Sequence, residues 1–246
     1  MKDCLLDVIQ YTHGLGCGVD LIKVIGTDKT TQVAAIGEGN SVIINGKFTN
    51  VVPEFAGTFG MPNLDKLKVV VGFDDYDDKA KINMVYETKD GTKTPASIHF
   101  ETGTGDFLND YRLMGKTLVE SQIANLALKV APKWEIEFEP TLASITRLKK
   151  QASANSEELQ FTTTIDSNGD LRASFGDPAA HSGNFVFQPK VSGKLTSPFR
   201  WPVKAFLAIL DLPGDKKIRI SNQGLAEITV ESGQASYSYM FPAHSK

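Results

Sequence analysis

The hydrophobic and polar positions follow the same order in two parts of the chain. In each part an aromatic residue, a second apolar residue and a proline precede an apolar, lysine-bearing segment, first in residues 59–73 and again in residues 199–212. The matching positions are Phe59 with Phe199, Met61 with Trp201 and Pro62 with Pro202, and the three pairs share one spacing. Because that spacing exceeds half of the chain, it predicts two similar domains joined by an additional connector.

A helix-like periodicity precedes each copy of this pattern. Residues 3–12 place Leu5, Val8, Ile9 and Thr12 on one face, and residues 141–152 place Leu142, Ile145, Leu148 and Ala152 on one face. The first of these helices is expected to present Asp3, Asp7 and Gln10 on the side opposite its apolar face. Each half of the chain therefore predicts a helix, several strands, a second helix and several more strands.

Alternation and turn residues predict that the strands are antiparallel. Ser167-Asn168-Gly169 separates two alternating segments and predicts a tight hairpin, and Asn45-Gly46 repeats the Asn-Gly pair inside residues 42–48. Residues 218–221, 225–230 and 235–241 are separated by glycine-containing turns, which is typical of a meander with one solvated face. The prediction is an α+β protein with a first domain at residues 1–112, a connector at 113–132 and a second domain at 133–246. Within the connector, Leu118 to Val130 is expected to form a strand or a short helix.

Composition and motifs point away from membranes and catalysis. The chain has 246 residues, 41% of them apolar, and a formal net charge of −3. We expect no membrane span, no signal peptide and no disulfide framework, because no apolar segment reaches about 20 residues and there are only two cysteines. The histidines and cysteines lack metal-ligand spacing, and Asp166-Ser-Asn-Gly-Asp170 lacks the glutamate that closes a calcium loop. We therefore predict no enzyme activity, no metal and no cofactor.

The predicted helices carry positive charge although the protein as a whole is acidic. Lysines and arginines fall on or beside the solvent faces of the second, third and fourth helices: Lys66, Lys68, Arg147, Lys149, Lys150, Arg200 and Lys204. Any exposed helix face carries lysines, so one such helix indicates little. Three equivalent basic helices instead favour contact with the phosphate backbone of duplex DNA without sequence preference.

The duplicated order of helices and strands resembles that of the DNA polymerase sliding clamps. The closest match is the last part of the chain, with Phe206-Leu-Ala-Ile-Leu-Asp-Leu212, Lys216-Lys-Ile-Arg-Ile-Ser221, Gly224-Leu-Ala-Glu-Ile-Thr-Val230 and Ala235-Ser-Tyr-Ser-Tyr-Met-Phe-Pro-Ala243. The length suits the trimeric clamps of tailed bacteriophages. This resemblance implies two clamp domains per chain and a homotrimeric ring around double-stranded DNA. It also implies a DNA polymerase and an ATP-dependent clamp loader as partners, and a location in the host bacterial cytoplasm.

The resemblance also implies a docking pocket for short apolar peptides of partner proteins. Its expected walls are Leu118, Val119 and Ile123 of the connector, Leu210, Leu212 and Pro213 after the fourth helix, and Met240, Phe241 and Pro242 of the tail. Each of these residues is equally compatible with a place in an ordinary core. For the ring itself, we expect an edge strand near Ser97–Thr102 to pair with one near Gly183–Lys190 of a neighbouring subunit.

Two other classes of function remain open at this point. A phage tail or baseplate component also combines duplicated β-rich domains with self-assembly, but it needs neither basic helices nor an apolar pocket near the end of the chain. A β-rich hydrolase is the least favoured class, because the sequence shows no clustered nucleophile, base or ligand set.

Overall fold

The structure is a computed structural model that describes residues 1–89, 91–123 and 131–244. The chain divides into two compact units. Unit 1 comprises Met1–Ala127 with Ser232–Tyr237, and unit 2 comprises Leu128–Glu231 with Ser238–Lys246. The last strand, β15 (Ala235–Pro242), therefore contributes its first residues to unit 1 and its remaining residues to unit 2.

Among its described residues, unit 1 contains three α-helices and two antiparallel sheets. The helices are α1 (Lys2–Tyr11), α2 (Leu64–Val71) and α3 (Lys116–Gln122). One sheet has the order β4-β1-β2-β3, formed by β1 (Leu21–Gly26), β2 (Thr31–Ile36), β3 (Ile43–Phe48) and β4 (Gly57–Pro62). The first residues of β15 lie beside β3. The other sheet has the order β5-β6-β7, formed by β5 (Lys81–Lys89), β6 (Thr92–Glu101) and β7 (Leu108–Arg112).

Unit 2 contains two helices, α4 (Leu142–Ala154) and α5 (Val203–Leu210), and two antiparallel sheets. The sheet β11-β10-β9-β12 is formed by β9 (Gln160–Ile165), β10 (Leu171–Gly176), β11 (Ser182–Gln188) and β12 (Phe199–Pro202). The sheet β15-β14-β13-β8 is formed by β8 (Ile136–Phe138), β13 (Lys216–Ser221), β14 (Leu225–Glu231) and the later residues of β15. The predicted α+β class with antiparallel sheets is confirmed.

The repeated pattern forms equivalent structures in the two units. Phe59 and Met61 lie on β4 directly before α2, and Phe199 and Trp201 lie on β12 directly before α5. Phe59, Met61 and Trp201 are completely buried, and Phe199 is almost so. In each copy a strand thus delivers two apolar side chains to the core, and a helix begins at once. The pattern recognised in the sequence is the repeated strand-to-helix junction of the two units.

The helix α4 begins where its capping residue indicates. The Thr141 hydroxyl accepts a hydrogen bond from the Ser144 amide at the start of α4, 3.1 Å away. Ile145 and Leu148 of α4 are buried as their spacing predicts. Leu142 is 84% exposed, so its predicted place on the buried face is wrong. It occupies the first helical position, one turn before the buried stripe begins.

The two Asn-Gly pairs have different roles. Asn168-Gly169 forms the predicted turn between β9 and β10, with Gly169 at a φ of 81°. Asn45-Gly46 instead lies inside β3, so the indication of a turn there is wrong. A Cβ atom on Gly46 would lie 2.6 Å from the Tyr237 ring, closer than side-chain atoms pack. The glycine therefore makes room for an aromatic ring.

The expected edge strand of the first domain is also wrong. Residues 97–101 lie on β6, which pairs with β5 on one side and with β7 on the other. Among the described strands, β5 and β7 form the ends of that sheet. In the second domain the predicted edge strand is present, since β11, which contains residues 183–188, ends its four-stranded sheet.

Asp7 lies on the buried side of α1, contrary to the sequence prediction. Its side chain accepts a hydrogen bond from the Tyr237 hydroxyl at 2.7 Å, and the Tyr237 ring stacks on Tyr11 with centroids 4.9 Å apart. Burial raises the pKa of the Asp7 carboxyl, and the hydrogen bond from Tyr237 opposes this rise without cancelling it. The apolar face of α1 therefore includes one carboxyl group, which is held by a tyrosine of unit 1.

We expect Asp7→Asn to stabilise the protein at neutral pH. Burial raises the pKa of Asp7 in the folded state, so folding favours the protonated carboxyl over the charged one. The free energy of unfolding therefore has its full contribution from Asp7 at low pH. That contribution is lost as the pH rises through the folded pKa. The variant should melt about 3 °C higher than the parent at pH 7, and the difference should shrink towards pH 4. Thermal unfolding across this pH range measures the effect, with Asp3→Asn on the exposed face of α1 as control. Equal melting temperatures at every pH would contradict the expectation.

Candidate functional site

The exposed face of α4 is basic. Arg147, Lys149 and Lys150 are exposed, whereas Ile145 and Leu148 lie on the opposite, buried side. Lys149 forms an ion pair with Asp211, which lies just after α5. Arg147 and Lys150 have no carboxylate partner within the described residues. Two of the three predicted cations on this helix are therefore fully available to a ligand.

A groove between α4 and α5 brings two of the predicted cations together. The groove has a volume of about 400 Å³ and is lined by Lys149 and Ala152 of α4 and by Val203, Lys204 and Leu207 of α5. Lys204 is exposed. The two amino groups thus flank one apolar depression on the same side of unit 2.

The exposed side of α2 resembles that of α4. Lys66 and Lys68 are exposed, whereas Leu64, Leu67, Val70 and Val71 are buried. The carboxylate of Asp65, on the same helix, lies 2.9 Å from the Nε2 atom of His13. The solvent side of α2 therefore presents two lysines, and its one acidic residue is engaged by a histidine of unit 1.

The structure separates Arg200 from the other predicted cations. The Trp201 residue pairs with Phe161 across β12 and β9, and Phe161 contacts Phe206 of α5 edge to face, with centroids 5.0 Å apart. Because side chains alternate along a strand, Arg200 and its partner Thr162 point to the opposite face of the sheet from α5. The sequence prediction treated Arg200 as a neighbour of the helix face, and the period of the strand overturns that placement.

On that opposite face, Arg200 borders a polar cavity of about 460 Å³. The cavity is also lined by Glu158, Gln160, Thr162, Ser174 and Asp177. The charges beside Arg200 are therefore mixed, whereas the charged residues exposed on α4 are all cationic, and α2 exposes two lysines and Asp65.

The connector residues lie on and around α3. Leu118 is 53% exposed, whereas Val119 and Ile123 are buried. A Cβ atom on Gly60 of β4 would lie 2.9 Å from a methyl group of Val119, so α3 packs directly against the strand. The expected strand or short helix is a helix from Lys116 to Gln122. The rest of the predicted segment, residues 124–130, lies outside the described residues.

Most of the predicted pocket residues in unit 2 belong to its core. Leu210, Leu212, Met240 and Phe241 are buried, and the Phe241 ring packs against Phe206 with centroids 5.7 Å apart. Phe241 is 0% exposed, so its predicted role as an accessible wall is corrected to a core role. The exposed members of the predicted set are Pro213 and Pro242 in unit 2 and Leu118 in unit 1.

In the turn that resembled the start of a calcium loop, the Asp166 carboxylate binds backbone amides. One Asp166 carboxylate oxygen accepts the amides of Asn168 and Asp170, at 2.9 and 3.1 Å.

Within residues 1–89, 91–123 and 131–244, no three histidine, cysteine, aspartate or glutamate side chains form a group able to hold a metal ion. Within the same residues, no helix is both long enough and apolar enough to traverse a bilayer.

Comparison with known proteins gives a consistent result at the level of the fold. No protein-family model and no curated protein sequence matches the chain. Solved structures do match it. The PCNA of A. fulgidus, solved with the C-terminal region of FEN-1 bound, has a TM-score of 0.64 and 11% identity, covering 100% of this chain and 95% of that one.

Two further archaeal structures agree. The PCNA of Thermococcus kodakaraensis has a TM-score of 0.58 and 15% identity over 99% of this chain and 95% of its own. The PCNA2-PCNA3 complex of Sulfolobus tokodaii gives a TM-score of 0.62 and 12% identity over 98% of this chain and 97% of its own. The chain therefore has the two-domain fold of the PCNA-type clamps along its entire length.

Proposed function

We propose that this protein is the subunit of a sliding clamp, a ring that encloses duplex DNA and tethers a DNA polymerase to it. The observation that carries the proposal is the match of the clamp fold to the whole chain. The basic solvent faces of α2 and α4 support it, because they are exposed helix surfaces able to face phosphates. A tail or baseplate protein or a β-rich hydrolase would explain neither observation. In this function the ring performs no chemistry, and a separate ATP-dependent loader opens it.

The sheet ends suggest how subunits join. Within unit 1, the first residues of β15 lie beside β3. The last strand of the second half of the chain thus borders the third strand of the first half. The repeat makes β7 the counterpart of β15 and β11 the counterpart of β3. Both β7 and β11 end their sheets among the described strands. We infer that β7 of one subunit pairs with β11 of the next, which gives a head-to-tail contact that closes into a ring.

The proposed contact also has an apolar component. Phe107 and Leu108, at the start of β7, are 39% and 54% exposed. Pairing of β7 with a neighbouring strand would cover both side chains. We propose that the closed ring is a homotrimer of the bacteriophage type acting in the host cytoplasm, because the length of the chain suits two clamp domains in each of three subunits.

The proposed DNA-facing residues are Lys66, Lys68, Arg147, Lys149, Lys150 and Lys204. They would meet phosphates transiently, and their charge would attract duplex DNA without reading its sequence. Lys149 would contribute less than Arg147 and Lys150, since Asp211 already neutralises part of its charge. Arg200 is not part of this set, because it lies on the other face of its sheet.

The proposed partner surface has one part in each unit: the exposed Leu118 on α3 of unit 1, and the exposed Pro213 and Pro242 of unit 2. In unit 2, the buried Leu210, Leu212, Met240 and Phe241 would support the part formed by Pro213 and Pro242. Its ligands would be apolar peptide segments of the DNA polymerase and of the clamp loader.

Ring formation and DNA topology test the proposed function. Purified protein should form closed rings in electron micrographs, with a mass of three subunits. Rings threaded onto linear duplex DNA should remain on it when both ends are blocked and should leave when the ends are open. A protein that binds open and blocked DNA equally would be held by ordinary affinity, and the proposal would be wrong.

Replacing Arg147, Lys149 and Lys150 together by Ala should weaken equilibrium retention on open-ended duplex DNA about tenfold at 150 mM salt. The reason is that each lost cation removes counterion release, which should also flatten the dependence of affinity on salt. A salt series measured by DNA retention checks both effects, and Lys47→Ala on an exposed position of β3 is the matched control. Unchanged retention and an unchanged salt slope would exclude α4 from the DNA-facing surface.

A further inference from the structure

Lys23 is a buried lysine whose ammonium group contacts the end of the connector helix. It lies on β1 between the fully buried Ile22 and Val24, and only 6% of its surface is exposed. Its Nζ atom donates a hydrogen bond to the carbonyl oxygen of Ile123 at 3.1 Å. Ile123 directly follows α3, so the hydrogen bond joins the centre of a strand to the C-terminal end of that helix.

Packing does not explain the charge of Lys23. Within the described residues, no carboxylate pairs with its ammonium group, and the Ile123 carbonyl is its one hydrogen-bond acceptor. Burial of an ammonium group is costly, whereas a methionine of similar volume would fill the same space without that cost. The contribution specific to lysine is therefore its charged donor and the carbonyl that it holds.

The two ends of α3 are fixed by different contacts. Before the helix, Met114 and Gly60 exchange two backbone hydrogen bonds of 2.8 Å each. The carbonyl groups at the C-terminal end of a helix lack donors within the helix, and they attract positive charge. The Lys23 ammonium group supplies a hydrogen-bond donor and a positive charge at this end. A helix this short is not stable on its own, so its position depends on these attachments and on Val119 beneath it.

We propose that Lys23 is the positioning residue of the interdomain connector. Its ammonium group fixes the C-terminal end of α3 against β1 through the Ile123 carbonyl. The consequence for partner binding rests on the proposed function, because the exposed Leu118 on α3 belongs to the proposed partner surface. The structural part of the proposal, the tether itself, holds or fails independently of any ring.

Lys23→Met separates the donor from the packing of the side chain. The variant should leave the melting temperature within about 2 °C of the parent, since methionine preserves the buried apolar contacts. Hydrogen exchange at the Val119 and Ile123 amides, both bonded within α3, should become about tenfold faster. Lys47→Met, at an exposed position of β3, is the control and should change neither quantity.

Two outcomes would overturn the proposal. Unchanged exchange at both amides in Lys23→Met would show that the hydrogen bond does not hold α3. Uniformly faster exchange throughout unit 1, with a lower melting temperature, would show that Lys23 supports the whole unit and not the connector. In the parent, the Lys23 ammonium resonance should show a scalar coupling to the Ile123 carbonyl carbon. Because these measurements use the free chain, they remain valid even if the protein does not encircle DNA.

Discussion

If the proposed ring forms, a proline in β7 at Asp110 is expected to convert it into monomers without unfolding the subunit. Proline lacks the amide hydrogen that a neighbouring strand would accept, and edge strands tolerate it because one side of their backbone is not paired within the chain. The loss should reach about 3 kcal/mol per interface, or roughly a hundredfold weaker association. Mass measurement over a concentration series reports the change.

The opposite end of the same sheet gives the matched control. β5 ends the three-stranded sheet as β7 does, and the Met84 amide points away from β6 as that of Asp110 does, so Met84→Pro makes the same backbone change at the other edge. The proposed pairing predicts that this variant stays in the ring. Successive amides of a strand point to opposite sides. A proline at Leu108 or Asp110 should therefore disrupt assembly, whereas a proline at Asn109 should destabilise the subunit. A ring that survives at all three positions would exclude β7 from the interface.

Phe241→Ala should destabilise unit 2 by about 3–5 kcal/mol. The side chain is completely buried and packs against Phe206 of α5, so its removal leaves a cavity in the core. A loss of that size lowers the melting temperature by roughly 10 °C for a domain of this size. Thermal unfolding of the variant measures it, with Pro242→Ala at the adjacent exposed position as control.

The same variant decides between the two roles considered for the tail. A double-mutant cycle with Phe206→Ala should show a coupling of about 0.5–1.5 kcal/mol, because the two rings pack against each other in one core. If Phe241→Ala were as stable as the parent and lost only partner binding, the residue would be a pocket wall, as the sequence resemblance first implied.

The sequence was most informative where local pattern and global fold agree. The junctions at Phe59 and Phe199 were predictable because strand alternation, a proline and an apolar helix face follow one another in both copies. The helix lysines were also predictable, since Leu67 and Leu148 fix which side of each helix is buried. Pattern and structure agree there because burial of an apolar stripe dominates the energy of an amphipathic helix.

Two of the failures share one physical cause, which is contact with residues distant in the sequence. Asp7 is polar, yet it is buried because the Tyr237 hydroxyl supplies its hydrogen bond. Gly46 reads as a turn residue, yet it makes room for the Tyr237 ring. No local periodicity carries this information.

The division of β15 between the units has a consequence for the order of events during synthesis. Tyr237 bonds to Asp7, 230 positions earlier, so α1 must wait for almost the entire polypeptide before its buried carboxyl group finds its donor. Contacts over such separations slow folding, because a long loop must close before the contact forms. An emerging N-terminal half would expose the unpaired side of β3 on the ribosome, where another strand could occupy it. Unit 1 is translated first, but it is completed only after residues 232–237 have left the ribosome.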